Sequence, residues 1–269
     1  MKFVDIHPEA KIGNNVTIGS FSSIAQDVEI GDNTWIAPNV TIMDGARIGN
    51  NCRIFSGAVI SAIPQDLKFE GEKTFAEIGN NTTIRECVTI NRGTKDRWKT
   101  SVGNNCLIMA YVHVAHDCII GNNCILVNSV QLAGHVEIGE YAILGGLSAA
   151  HQFTKIGAHA MISGGSLIRK DVPPFVKAAH NPIAYVGVNS LGLRRRGFTG
   201  TQIANIQEIY RVLFLKGYNL TNAVEIITND FEPTPEKEII IDFLKIAKRG
   251  IIKGIHKKGT NTAEEDFSL

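Results

Sequence analysis

An aliphatic residue returns at every sixth position from Ile12 to Ile168, and this period constrains the fold more than anything else in the chain. Of the 27 positions so spaced, 23 are Ile, Val or Leu; the exceptions are Asp66, Glu72, Asp96 and Ala150. Six fits neither the 3.6-residue turn of a helix nor the two-residue alternation of a long strand. It fits short strands joined by turns, each sending one aliphatic side chain inward. A longer period overlies it. Gly13-Asn14-Asn15, Gly31-Asp32-Asn33 and Gly49-Asn50-Asn51 lie 18 apart, as do Gly103-Asn104-Asn105, Gly121-Asn122-Asn123, Gly139 and Gly157. Eighteen is three sixes, so each coil has three sides and these residues mark one repeated corner. Gly and Asn suit a corner because they tolerate positive φ. The expectation is a mainly β, three-sided solenoid of parallel strands, about eight coils and roughly 38 Å long at ~4.8 Å per rung. No coil buries its own apolar side, so stability is collective. Cys52, Cys106, Cys118 and Cys124 fall on the small-residue column four after each aliphatic, and read as interior fillers.

Two interruptions break the count. Gly49 to Gly79 spans 30 positions and Gly79 to Gly103 spans 24, which leaves twelve and six residues beyond a coil. The surplus predicts loops within 61–77 and 91–101, both polar and turn-rich. Counted from each coil's marker glycine, both loops share an edge with His113, His116, Asp117, His135 and His151. Loops on a rigid scaffold tend to carry function, so this edge is the candidate site. One reading of it is general base catalysis: a neutral imidazole takes a proton from a hydroxyl attacking an activated acyl group, and Asp117 sets its tautomer. A second reading is a zinc site of His116, His135 and His151, as in the trimeric β-helix carbonic anhydrases. A third is a structural scaffold without chemistry.

Composition narrows the partners. A formal net charge of +1 argues against a nucleic-acid binder. No run reaches the ~18 apolar residues of a membrane span, and Met1-Lys2-Phe3-Val4-Asp5 lacks a signal-peptide layout, so the expected location is the cytoplasm with all five cysteines free.

Eight segments together resemble the UDP-N-acetylglucosamine O-acyltransferases over about residues 5–200. They are Gln65-Asp66-Leu67-Lys68, Ile84-Arg85-Glu86, Arg92-Gly93-Thr94, His113-Val114-Ala115-His116-Asp117-Cys118, Leu132-Ala133-Gly134-His135, His151-Gln152-Phe153, Asp171-Val172-Pro173-Pro174 and Arg195-Arg196-Gly197-Phe198. The resemblance implies a left-handed parallel β-helix and a homotrimer with sites between subunits. The implied reaction moves an (R)-3-hydroxyacyl group from acyl carrier protein to the 3-hydroxyl of UDP-N-acetylglucosamine, the first step of lipid A synthesis. No resident cofactor is implied, since the acyl donor arrives on the carrier's phosphopantetheine. By the same resemblance His116 is the base, Asp117 its orienter, and the Gly134 N–H the oxyanion donor. Asp66 and Lys68 hold substrate near the nucleotide sugar. His113, His135, His151 and Gln152 line the cleft, and Asn189, Arg195 and Arg196 meet the nucleotide or phosphopantetheine. Gly164 leaves the acyl groove open, which implies a chain of about 14 carbons or more, since pockets discriminate methylene by methylene. Leu191 departs from the family, whose members often carry a glutamate there. Some relatives acylate a 3-amino sugar. The sibling N-acyltransferase carries an extra N-terminal uridine-binding domain, for which a repeat beginning by about Ile12 leaves no room.

The expected organisation is a β-helix over 1–175, an extended connector over 176–198, a helical domain over 199–256 and a disordered tail over 257–269. Helices are predicted over Thr201–Lys216, with Ile203, Ile206, Ile209, Tyr210, Leu213 and Phe214 at helical spacing; from a Thr221 cap to Thr228; and from Thr234-Pro235 to before Gly250, where Ile239, Ile240, Phe243, Leu244 and Ile246 read as core. Lys245, Lys248, Arg249, Lys253, Lys257 and Lys258 make this end basic, which suits either a solvated face or docking of an acidic carrier protein.

Overall fold

The computed structural model describes residues 3–254. The disordered tail expected over 257–269, with Lys257 and Lys258, lies outside the described residues.

The chain winds as a left-handed parallel β-helix with three walls. The first wall has nine strands, beginning with Asp5–Ile6 and ending with Leu167–Ile168; the second has eight; the third has eleven. The nine-stranded wall exceeds the eight coils counted from Ile12 because Asp5–Ile6 adds a rung before the period becomes regular. Away from the two loops, strands pair in register with those 18 residues later, as in Ser23↔Thr41 and His113↔Gln131; across the loops the partners lie 30 and 24 residues apart, as in Val59↔Thr89 and Thr89↔His113. The predicted aliphatic columns form the core: Ile24, Ile42, Ile60, Ile90, Val114 and Leu132 are all buried, as are Cys52, Cys106, Cys118 and Cys124. All five cysteines are free.

The corners work differently from the sequence expectation. The residue with positive φ is the second Asn, at Asn15, Asn33, Asn51, Asn105 and Asn123. The marker glycines serve clearance instead. A Cβ on Gly31 would stand 2.7 Å from the Gly49 carbonyl carbon and 2.8 Å from the Asn50 nitrogen. Between them runs a ladder: Asp32 Oδ1 accepts from the Asn14 N–H at 2.6 Å, Asn50 Oδ1 from Asp32 at 2.7 Å, and Asn80, Asn104 and Asn122 repeat it. Each amide left over by a turn thus finds an acceptor one rung on.

The two loops emerge where predicted but are shorter. The strands Val59–Ala62, Phe75–Ile78 and Lys99–Val102 extend into the surplus residues, which leaves 63–74 and 92–98 as loops. The stretch 176–198, expected as an extended connector, forms an antiparallel pair, Val176–Ala179 with Ala184–Val188, joined to the third wall. A short helix α1 follows (Ser190–Arg195), capped by Asn189. Then come α2 (Gly200–Phe214), α3 (Leu220–Asp230) and α4 (Pro235–Ile246). In α2, Thr199 and Gln202 form a reciprocal capping box, and Ile203, Ile206, Ile209, Tyr210 and Leu213 are buried as their spacing predicts. The cap of α3 is Asn219 rather than Thr221, because its side chain accepts from the Asn222 N–H. Of the apolar positions in α4 only Ile240 and Phe243 are buried; Ile239 and Ile246 face outward, so the apolar stripe is narrower than expected. Tyr210 fixes the helices to the end of the prism by donating to the Pro174 carbonyl at 2.5 Å.

Candidate active site

The ridge is built by register. His116, Gly134 and Gln152 are 18 apart and stack on successive rungs; so do Asp117, His135 and Phe153 at the next position. The second column turns the corner with φ of 59°, 63° and 62°. Asp tolerates this conformation better than most residues.

His116 is 6% exposed and Asp117 fully buried. Nδ1 of His116 lies 2.8 Å from Oδ2 of Asp117. Loop 92–98 closes over the carboxylate: the Thr94 N–H donates to Oδ1 at 3.0 Å, the Thr94 hydroxyl to Oδ2 at 2.7 Å, and the Arg97 N–H to Oδ1 at 3.3 Å. The Asp117 N–H donates to the Thr100 hydroxyl at 2.8 Å. Burial pushes the Asp117 carboxyl up, but the hydrogen bonds from His116 and Thr94 and the charge of His135 outweigh it and hold the group at about 2. An ionised carboxylate only accepts hydrogen bonds. Nδ1 of a neutral His116 therefore carries the proton, and Nε2 presents a bare lone pair.

That Nε2 lies over Gly134. A Cβ at Gly134 would stand 2.7 Å from Nε2 and 2.6 Å from Cε1. Only glycine admits the ring here. Among the described residues no acceptor meets the Gly134 N–H, although the residue is buried.

His135 meets His116 edge-on at 5.1 Å between centroids and stacks on Phe153 at 4.4 Å. Its Nδ1 is 3.2 Å from Asp96 and its Nε2 3.7 Å from Asp117 Oδ2. Burial holds its pKa below the ordinary histidine value despite the neighbouring carboxylates. His113 hydrogen-bonds Thr89 Oγ1 at 2.7 Å, and burial, then the charge of His116, depress it likewise. His151 and Gln152 are exposed at the ridge, with the His151 Nδ1 3.2 Å from the Gln152 carbonyl.

Among the described residues, those whose ligand atoms converge as a metal would require are His116, Asp117 and His135, with these atoms within 4.8 Å of one another. His151 is not in that group, so the three-imidazole set considered for zinc is not assembled.

On loop 63–74, Lys68 is exposed and its N–H donates to Asp66 Oδ1 at 3.0 Å. The two loops are tied together by the Lys95 N–H to Glu72 at 3.1 Å. Gly164 is exposed, and a Cβ there would meet the Gly146 carbonyl oxygen at 3.0 Å. Arg195 is exposed at the end of α1, with Leu191 on the same helix 52% exposed. Asn189 differs from expectation: it is 3% exposed, its amide donates to the His159 carbonyl at 3.0 Å, and its oxygen caps α1. Arg196 also turns inward, donating to the Tyr141 carbonyl at 2.9 Å with its guanidinium 5.2 Å from the Tyr141 ring centroid. Both side chains serve the junction between helix and prism.

Residue identities alone missed Thr94, Asp96, Arg97 and Thr100. The available signal was positional: the loop that carries Thr94, Asp96 and Arg97, and the strand with Thr100 that follows it, lie one rung before Asp117 on the same edge.

Comparison with known proteins places the chain by sequence and fold. A family model described as UDP N-acetylglucosamine O-acyltransferase, domain 2, matches residues 171–252, and the bacterial transferase hexapeptide model matches 27–62 and 99–134. The chain is 62% identical over 194 residues to the acyl-[acyl-carrier-protein]–UDP-N-acetylglucosamine O-acyltransferase of Chlorobaculum parvum, covering 72% of this chain and 74% of that one. It is 55% identical over 270 residues to the protein of that name from a Sulfurihydrogenibium species, covering 98% and 100%. The solved UDP-N-acetylglucosamine acyltransferase of Bacteroides fragilis superposes with a TM-score of 0.93 at 50% identity, over 94% of this chain and 99% of that one.

Proposed function

The chain belongs to the UDP-N-acetylglucosamine O-acyltransferase family, and we propose that its histidine ridge is where the transfer takes place, with His116 as the general base. The enzyme acylates UDP-N-acetylglucosamine in the first step of lipid A synthesis. In our reading the acyl group is an (R)-3-hydroxyacyl chain carried as a thioester on acyl carrier protein, and the acceptor is the sugar 3-hydroxyl.

One observation carries the assignment: a fully buried Asp117 carboxylate lies 2.8 Å from Nδ1 of His116 while Nε2 stands against Gly134, an arrangement that favours the proton on Nδ1 and a bare Nε2. Nε2 takes the proton of the sugar hydroxyl as its oxygen attacks the thioester carbonyl. The negative charge that develops on the carbonyl oxygen is met by the Gly134 N–H, a contribution often worth ~3 kcal/mol. The tetrahedral intermediate then collapses, the C–S bond breaks, and the imidazolium returns its proton to the leaving thiolate. An ester and a free carrier thiol result, and His116 is neutral again. No resident cofactor enters this cycle.

The surrounding residues take supporting parts in the same reading. Lys68 and Asp66 contact the nucleotide sugar from their loop, and His113, His135, His151 and Gln152 line the cleft. Gly164 opens the acyl groove and Arg195 meets phosphate. Neighbouring copies in a homotrimer would close the cleft, a reading supported by Phe153, which is 52% exposed on the ridge. Lys245, Lys248 and Lys253 are exposed and suit an acidic carrier protein. No helix among the described residues is long and apolar enough to cross a membrane, and we place the reaction in the cytoplasm.

The test is acyl transfer from a set of hydroxyacyl carrier proteins to UDP-N-acetylglucosamine by wild type and His116→Ala. The variant should lose on the order of 10²–10⁴ in rate. Full activity in it would sink the assignment.

A further inference from the structure

Asp117 Oδ2 has two imidazoles within reach. His116 Nδ1 is 2.8 Å away and His135 Nε2 is 3.7 Å away. A carboxylate free to turn about its Cβ–Cγ bond could serve either one. In this site it is not free: the Arg97 N–H meets Oδ1 at 3.3 Å, and Thr94 grips the group at two points. Its N–H meets Oδ1 at 3.0 Å and its hydroxyl meets Oδ2 at 2.7 Å. Two donors on two oxygens fix the plane of the carboxylate. The hydroxyl is itself aimed, since its oxygen accepts from the Asp96 N–H at 3.2 Å and its proton has Asp117 to go to.

Thr94 is in turn held rigidly. It is 7% exposed, and its carbonyl accepts from the Trp98 N–H at 2.7 Å. The preceding Gly93 lies flat against the next strand, where a Cβ would stand 2.3 Å from the Lys99 nitrogen. The six residues that loop two adds to its coil therefore place one hydroxyl over the carboxylate that orients the base.

We propose that Thr94 is a positioning residue for acyl transfer: by pinning both oxygens of Asp117 it commits Oδ2 to His116 rather than His135 and so keeps the Nε2 of His116 unprotonated. The proposal rests on the general-base reading of His116. Without the hydroxyl, Oδ1 keeps its backbone donors from Thr94 and Arg97, but Oδ2 loses the donor that fixes it and can swing toward His135. His116 then loses the acceptor that selects its Nδ1–H form and spends part of its time protonated on Nε2, where it cannot accept the sugar proton.

The experiment compares Thr94→Val, Thr94→Ser and His116→Ala with wild type in the full chain. One readout is steady-state transfer to UDP-N-acetylglucosamine across pH. The other is the ¹⁵N spectrum of histidine-labelled protein, which separates protonated from bare ring nitrogens. Thr94→Val should lower kcat by ~10–100-fold, short of the full loss of a general base, with KM for the sugar unchanged. The Nε2-protonated form of His116 should appear in its spectrum, and Thr94→Ser should reverse both effects. Wild-type kcat with a bare Nε2 in Thr94→Val would overturn the proposal. So would equal losses in the Val and Ser variants with the tautomer unchanged, since that marks a merely structural role. If the Val variant does not fold, Thr94→Ala against Thr94→Ser makes the same comparison. An inactive His116→Ala beside an unaffected Thr94→Val defeats only the role of Thr94, whereas an active His116→Ala defeats the general-base reading itself.

Discussion

Replacing Gly134 by alanine isolates what its missing side chain does. The backbone N–H stays, and Gly134 is not among the residues with positive φ, so alanine meets no conformational penalty there. The added methyl would stand 2.6 Å from Cε1 and 2.7 Å from Nε2 of His116, and 3.3 Å from Nδ1. Non-bonded carbons settle near 3.5 Å, so the ring must retreat by about 0.9 Å. It cannot do so and keep its 2.8 Å bond to Asp117, whose carboxylate is held by Thr94 and Arg97. A misplacement of about 1 Å costs on the order of 10² in rate, equivalent to ~2.7 kcal/mol in the barrier. Steady-state transfer to UDP-N-acetylglucosamine should show kcat lowered by about that factor, with KM for the sugar little changed. A Gly134→Ala enzyme that keeps most of its kcat would show that the ring does not work from this position, and the reasoning would fail.

Two further outcomes are expected. His159 is 8% exposed between Tyr141 and Phe175, and burial, then the charge of Arg196, bring its pKa down to about 4. A depressed histidine pKa means the unfolded chain binds more protons between about 4 and 6.5, so stability falls as pH drops through that window. At 1.36 kcal/mol per unit, going from pH 7 to pH 5 should cost ~2 kcal/mol per chain, and urea unfolding of His159→Phe should lack that loss. Gly164→Met should shift the preferred acyl chain shorter in a panel of carrier-borne donors, because even a Cβ already meets the Gly146 carbonyl at 3.0 Å; an unchanged preference would remove Gly164 from the acyl groove.

The walls were legible because the period and the structure are one arithmetic. An inward aliphatic every six residues and a marked corner every 18 specify a three-sided coil, and the count from the marker glycines places His116, Asp117 and His135 on one edge. What could not be counted was whatever leaves the period. Thr94 and Arg97 reach Asp117 across 23 and 20 residues through a loop whose path no repeat dictates. Asn189 and Arg196 carry side chains that suit a ligand equally well, yet the hairpin and α1 turn both inward, onto His159 and Tyr141. Ile239 and Ile246 show the same limit: helical spacing gives a face, but the neighbours decide how wide a stripe is covered.

A solenoid of parallel rungs has an inherent hazard, since its last turn offers the same unpaired edge that every earlier turn used to recruit the next. Here the chain doubles back at residues 176–188, so the outermost strand of the third wall runs against the direction of the stack before Lys253–Gly254 joins it. A second molecule arriving end to end would find the wrong polarity and a layer of helices rather than a template. On the third wall the reversal therefore acts as a stop against end-to-end strand pairing.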